Sequence, residues 1–151
     1  MANVITNKLK YKLLGWIFRA ATAPTNFYVA LITNAAEPTA DTDTKTGLTE
    51  LANGNGYTTG GISLAKNDTD FDVWTEDDAN DYAYVQIKDL VWTASGGTLP
   101  ASGTGAYYAI LTDDNATDGS REVYAKWDVG TNVTVSSGQA LTLQNAELGI
   151  T

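Results

Sequence analysis

From Thr6 to about Ala21 the chain contains no proline, and its apolar positions recur with a helical rather than a two-residue period. Thr6 suits an N-cap, so the segment predicts a helix of about four turns. At about 100° per residue, Leu9, Leu13, Trp16, Ile17 and Ala20 share one face, beside a narrow basic stripe of Lys8, Lys12 and Arg19. Tyr11, Leu14 and Phe18 lie on the far side. The helix is thus apolar around most of its circumference, more than one small sheet needs to cover. Either a second packing partner or the domain's own loops must cover the surplus.

After Pro24 the pattern changes to short apolar runs separated by Gly, Asn, Asp, Thr and Ser, the signature of antiparallel β structure. Strands are predicted at Phe27 to Thr33, Gly60 to Leu64, Asp81 to Ile87 continuing to Trp92, Ala106 to Leu111, Glu122 to Trp127, Asn132 to Val135, and Leu141 to Ile150. Alternation places Ala83, Val85 and Ile87 on one face, as it does Val123, Ala125 and Trp127, and Leu141 and Leu143. Between Leu111 and Glu122 a run of turn formers should close a hairpin, with Asp118-Gly119 able to supply positive φ. The polar stretch Glu37 to Tyr57 reads as a long surface excursion. The pattern therefore predicts a mainly β protein, an antiparallel β-sandwich or jelly-roll-like barrel. One N-terminal α-helix occupies residues 1–22, and the β-sandwich domain spans 23–151 as one structural unit.

Composition narrows the chemistry. The 151 residues include neither Cys nor His, which removes disulfides, thiolate metal sites, Cys–His catalysis and Ser–His–Asp catalysis together. Any metal site would have to use oxygen ligands. The net charge of −9 is unevenly placed: the first twenty residues hold four of the nine cations and no acid, which leaves −13 on the rest. An acidic body repels phosphate backbones, so no nucleic-acid partner is expected. The asymmetry suits an N-terminal element that docks on an acidic neighbour, including another copy of the same chain.

Lys8 to Lys12, then Leu13 to Phe18, then Ala21-Thr22-Ala23 imitate the three regions of a signal peptide. The apolar run has only six residues, includes Gly15 and ends at Arg19, whereas a real one spans about 7–15 residues. It reads as a retained helix. No stretch approaches the roughly 18–20 apolar residues of a membrane span, and a soluble protein with no membrane partner is expected.

Seven carboxylates fall between Asp68 and Asp81. A calcium loop starting at Asp68 would need glycine sixth and glutamate twelfth, but Val73 and Ala79 stand there. On a strand, Asp68, Asp70 and Asp72 would share a face, yet the segment reads rather as a solvated acidic edge that discourages strand pairing. Asp113, Asn115 and Thr117 also alternate oxygen ligands, but Tyr124 occupies the glutamate's place. Neither motif identifies a metal site, and no cofactor is expected. Paired carboxylates are the raw material of glycoside hydrolysis, but their separation is not readable from sequence. Trp127 looks like core. Trp74, set among Asp72, Glu76 and Asp77, looks exposed and is a candidate carbohydrate-binding anchor.

The order of segments resembles a group of small bacteriophage virion structural proteins of tail-fibre-like and head-decoration-like kind. The resemblance rests on the helix ending near Phe18-Arg19, the strand Phe27-Tyr28-Val29-Ala30-Leu31-Ile32-Thr33, and the loop closing at Gly54-Asn55-Gly56-Tyr57. It continues through Leu90-Val91-Trp92, the hairpin from Tyr108-Ala109-Ile110-Leu111 to Tyr124-Ala125, and the terminal stretch Val135 to Leu141 running into Leu148-Gly149-Ile150. The acidic stretch Asp68 to Asp81 is longer than that pattern leads one to expect. The resemblance implies a non-catalytic virion component that assembles as a homo-oligomer, with a trimer expected. A capsid decoration (cement) role beside the major capsid protein is the leading expectation, a tail or tail-fibre position the second, and a host-surface carbohydrate-binding module the third. The candidate interface comprises Lys8, Leu9, Lys12, Leu13, Trp16, Ile17, Phe18 and Arg19, with the apolar members supplying binding energy and the basic stripe orientation.

Overall fold

Thr6 caps the helix as its sequence position predicts. In extended conformation, its hydroxyl accepts from the Leu9 N–H at 3.1 Å and donates to the Val123 carbonyl at 2.7 Å. The computed structural model describes residues 3–150; residues 1, 2 and 151, at the ends of the two predicted segments, lie outside that range. Helix α1 (Asn7–Phe18) is preceded by an unpredicted strand β1 (Asn3–Ile5). The helix stops short of Ala21. Ala20 adopts a left-handed φ of 52°, and the N–H groups of Arg19 and Ala21 both donate to the Gly15 carbonyl.

The remainder is mainly β, as expected: β2 (Asn26–Ile32), β3 (Ile62–Ala65), β4 (Val73–Asp77), β5 (Tyr82–Ile87), β6 (Leu90–Thr93), β7 (Ala106–Thr112), β8 (Val123–Val133), β9 (Ala140–Leu143) and β10 (Ala146–Ile150). They form three antiparallel sheets in a sandwich-like arrangement, ordered β1-β8-β7-β2-β3, β10-β5-β4 and β6-β9. Two predicted strands prove to be pairs. The run to Trp92 breaks at Lys88-Asp89 into β5 and β6, and the run from Leu141 breaks at Asn145, whose φ is 51°, into β9 and β10. In each case the break sends the chain from one small sheet to the other. The predicted strand Asn132 to Val135 is not separate either, since β8 continues to Val133 and Val135 makes only a bridge to Leu99.

One face of the large sheet meets the small sheets in the main core, around Val29, Leu31, Leu64, Leu111, Trp127 and Leu143, and Leu9 of α1 belongs to the same cluster. The opposite face carries a smaller cluster of Ala30, Ile32, Ile110 and Val123, covered in part by Leu48. Val123 therefore does not share a face with Ala125 and Trp127. Leu111 pairs with Ala125 but Thr112 pairs with Val123, so Tyr124 is an extra residue and this bulge reverses the alternation.

The stretch Glu37 to Tyr57 is less a free surface excursion than a clamp. Beyond Val29, β3 no longer pairs with β2, and the loop takes over that edge: Thr33 N–H donates to the Thr49 carbonyl and Leu51 N–H to the Leu31 carbonyl. Gly61, at φ 79°, allows the crossing, because a Cβ there would sit 1.9 Å from the Val29 carbonyl oxygen. Beneath the loop, Lys45 Nζ lies 2.5 Å from Glu50 Oε2 and 2.5 Å from Asp118 Oδ2. Glu50 also accepts from Tyr57 and, at 2.7 Å, from the Gly60 N–H.

Candidate functional site

The three-stranded sheet peels away from the large one. Along β5 the core-side residues run from buried Ile87 through half-buried Val85 to exposed Ala83, and along β10 from buried Ala146 through Leu148 to exposed Ile150. Register aligns Trp74, Val85 and Leu148 across the three strands. This apolar face turns toward Ile5 of β1 and toward Leu9, Leu13 and Trp16 of α1, and the two walls enclose an open groove of about 800 Å³. That volume falls within the range of roughly 300–1,000 Å³ typical of ligand pockets.

An aromatic chain underlies the groove. Phe71 meets Phe27 edge-on at 5.7 Å between ring centroids, Phe27 meets Tyr124 at 6.2 Å, and Tyr124 meets Trp16 at 5.9 Å. Such edge-to-face pairs stabilise by about 0.5–1.5 kcal/mol each beyond area burial. Lys66, Asn67 and Asp68 form the polar end of the rim. The Trp16 indole N–H is buried without an acceptor among the described residues.

The predicted interface residues divide. Leu9 is in the core, and Leu13 and Trp16 line the groove. Ile17, expected on the same face, lies at its margin and is 68% exposed, while Tyr11, Leu14 and Phe18 stand at 71, 60 and 73% on the outer face. Much of the basic stripe is already engaged: Lys8 pairs with Asp43 at 3.4 Å and Lys12 with Glu122 at 3.0 Å. Glu122 in turn accepts from the Tyr124 hydroxyl at 3.0 Å, which ties α1 to β8. Among the described residues Lys10 and Arg19 make no ion pair.

Trp74 is 90% exposed, as its acidic neighbours suggested, and it stands on the groove wall. Asp68 and Asp70 lie in a turn before β4, so Asp68, Asp70 and Asp72 do not share a strand face. Asp70 accepts from Lys88 and from the Ala65 N–H, and these bonds hold its carboxyl below the usual range. Asp113 is likewise occupied, its Oδ1 accepting from the Glu122 N–H at 2.9 Å, and burial pushes its carboxyl up. Residues 118–120 form a 3-10 turn with negative φ at Gly119, so the β7–β8 connection is built from Asp113 and Asn115 side-chain turns instead. No cluster of three or more acidic side chains suited to a metal ion is found among the described residues.

The half-buried carboxylate Glu50 and its neighbour Asp118 are saturated by Lys45, Tyr57, Gly60 N–H and Arg121, which suits a structural clamp better than proton transfer. Burial and Glu50 push the Tyr57 phenol far above its ordinary value of 10.0. No helix among the described residues is long and apolar enough to cross a membrane. No family model, curated protein or solved structure matches the chain.

Proposed function

We propose that this chain is a non-catalytic bacteriophage virion structural protein that works by homo-oligomeric assembly, as a capsid decoration (cement) protein. The observation that supports the reading is the amount of apolar surface left open on a strongly acidic body. The groove and the outer face of α1 together present Trp74, Ile150, Tyr11, Leu14, Ile17 and Phe18 to solvent. Large apolar patches rimmed by polar groups mark interaction surfaces. Such a surface is matched to a permanent neighbour rather than to turnover of a small polar substrate.

Two measurements test this. Light scattering over a concentration series should give a multiple of the 16.0 kDa chain mass. Immunogold labelling of phage particles from lysates in which the chain is synthesised should decorate the head surface. Label on the tail instead would favour the tail or tail-fibre position, and unlabelled particles would remove the virion role. Deleting residues 1–20 is a poor probe, because it uncovers Tyr124 and removes Leu9 from the core.

The exposure of Trp74 favours a second reading, a carbohydrate-binding module. A monomer at every concentration, with glycan-array binding lost in Trp74→Ala, would replace assembly by that reading.

A further inference from the structure

Two surfaces of this molecule complement each other and cannot meet within one chain. The inner side of α1 lines the groove through Leu9, Leu13 and Trp16, so its outer side faces away from it. On that outer side Tyr11, Leu14 and Phe18 stand at i, i+3 and i+7, with Ile17 beside them, the spacing of anchors in helix-in-groove recognition. The receiving surface is the groove wall formed by Trp74, Val85, Leu148 and Ile150 over the aromatic floor.

Charge follows the same division. Lys10 and Arg19 flank the outer anchors without ion-pair partners among the described residues, and no acid precedes Glu37. Across the groove, Lys66 stands at the polar end of the rim, and from there the chain from Asn67 to Ile87 contains no Lys or Arg. Its Asp68, Asp72, Glu76, Asp78 and Asp81 are exposed, and none forms an ion pair among the described residues. A cationic apolar ridge and an apolar groove bordered by the acidic β4–β5 hairpin, on opposite sides of one helix, fit each other in different copies.

We propose that the groove between α1 and the β10-β5-β4 sheet receives the outer face of α1 from a second copy of this chain, with Tyr11, Leu14 and Phe18 as anchors and Lys10 and Arg19 facing the acidic β4–β5 hairpin. This rests on the assembly reading above and names its contact. Ridge and groove are different surfaces, so the contact is heterologous and closes into a ring or continues as a filament.

The absence of cysteine makes the contact directly mappable. Phe18→Cys and Trp74→Cys, both at exposed positions, are prepared separately, checked for folding by circular dichroism, mixed and oxidised. The expected product is the mixed F18C–W74C disulfide in clear excess over either homodimer. Homodimers only, or no cross-link, overturns the proposal. A second arm uses charge. Lys10→Glu with Arg19→Glu should weaken self-association by about tenfold, and mixing with Glu76→Lys/Asp78→Lys should restore it. A loss that the partner variant does not rescue counts against the contact. An oligomer that persists in both charge variants and gives no mixed cross-link sinks this contact alone and leaves assembly standing. If only monomers form and a fatty acid or an added amphipathic peptide fills the groove instead, the self-docking proposal is wrong, while immunogold labelling still decides the virion role.

Discussion

Tyr57 donates to Glu50 and accepts from the Leu31 N–H at 3.0 Å, at a place where β3 no longer covers the edge of β2. Tyr57→Phe would leave that buried N–H without an acceptor and weaken the clamp, and should destabilise the protein by about 1–3 kcal/mol in urea unfolding. The same residue sets an alkaline limit. Burial and neighbouring carboxylates raise the folded-state values of Tyr57 and Tyr124 well above the unfolded one. Stability from the neutral phenols is therefore complete below about pH 10 and is lost as pH rises beyond it. Unfolding midpoints measured from pH 8 upward should fall above about pH 10, and less steeply in Tyr57→Phe. At Ala20 the sign reverses. Its left-handed φ of 52° suits glycine, and Ala20→Gly should raise stability by about 0.5–1 kcal/mol despite ending a helix in the more flexible residue.

The elements were legible to different degrees, and the differences have local causes. Thr6, Leu9 and Trp16 announced the helix and its buried side, because capping and a 3.6-residue period are properties of neighbours in sequence. β4 was missed. Its groove-facing residues Trp74 and Glu76 are exposed and alternate with half-buried Val73, Thr75 and Asp77, so neither face is buried, and the surrounding carboxylates hid the strand. The bulge at Tyr124 was invisible because it is defined by the partner strand's register, which nothing in β8 alone records. The groove was equally illegible, since it arises from the angle at which β5 and β10 leave the core; the sequence showed only the surplus of apolar residues on α1. The turn before β4 offers a check at this scale. Asp70, held low by its hydrogen bond from Lys88 and by the Ala65 N–H, contributes stability above its unfolded value near pH 4 that is lost as pH falls through its lower folded value. Asp70→Asn should flatten the acid limb of the stability curve below about pH 4 and fray β4 first, which amide exchange along Val73–Asp77 would report.

At the scale of the whole molecule two electrostatic effects oppose each other in assembly. Each copy carries −9, so copies repel, yet the proposed contact brings Lys10 and Arg19 against acidic side chains. Their ranges differ. Net repulsion acts across whole bodies and is screened once the Debye length shrinks from about 30 Å at 0.01 M salt to about 10 Å at 0.1 M, whereas side chains in contact are screened only as it approaches about 3 Å near 1 M. Self-association should therefore strengthen from about 0.01 to 0.1 M sodium chloride and weaken again toward 1 M. In Lys10→Glu/Arg19→Glu the contact itself is repulsive, so association should rise with salt throughout. Sedimentation equilibrium at a series of salt concentrations separates the cases: a maximum at intermediate salt in the native chain that disappears in the variant matches charge-oriented docking, and a monotonic rise in both would assign assembly to apolar burial alone.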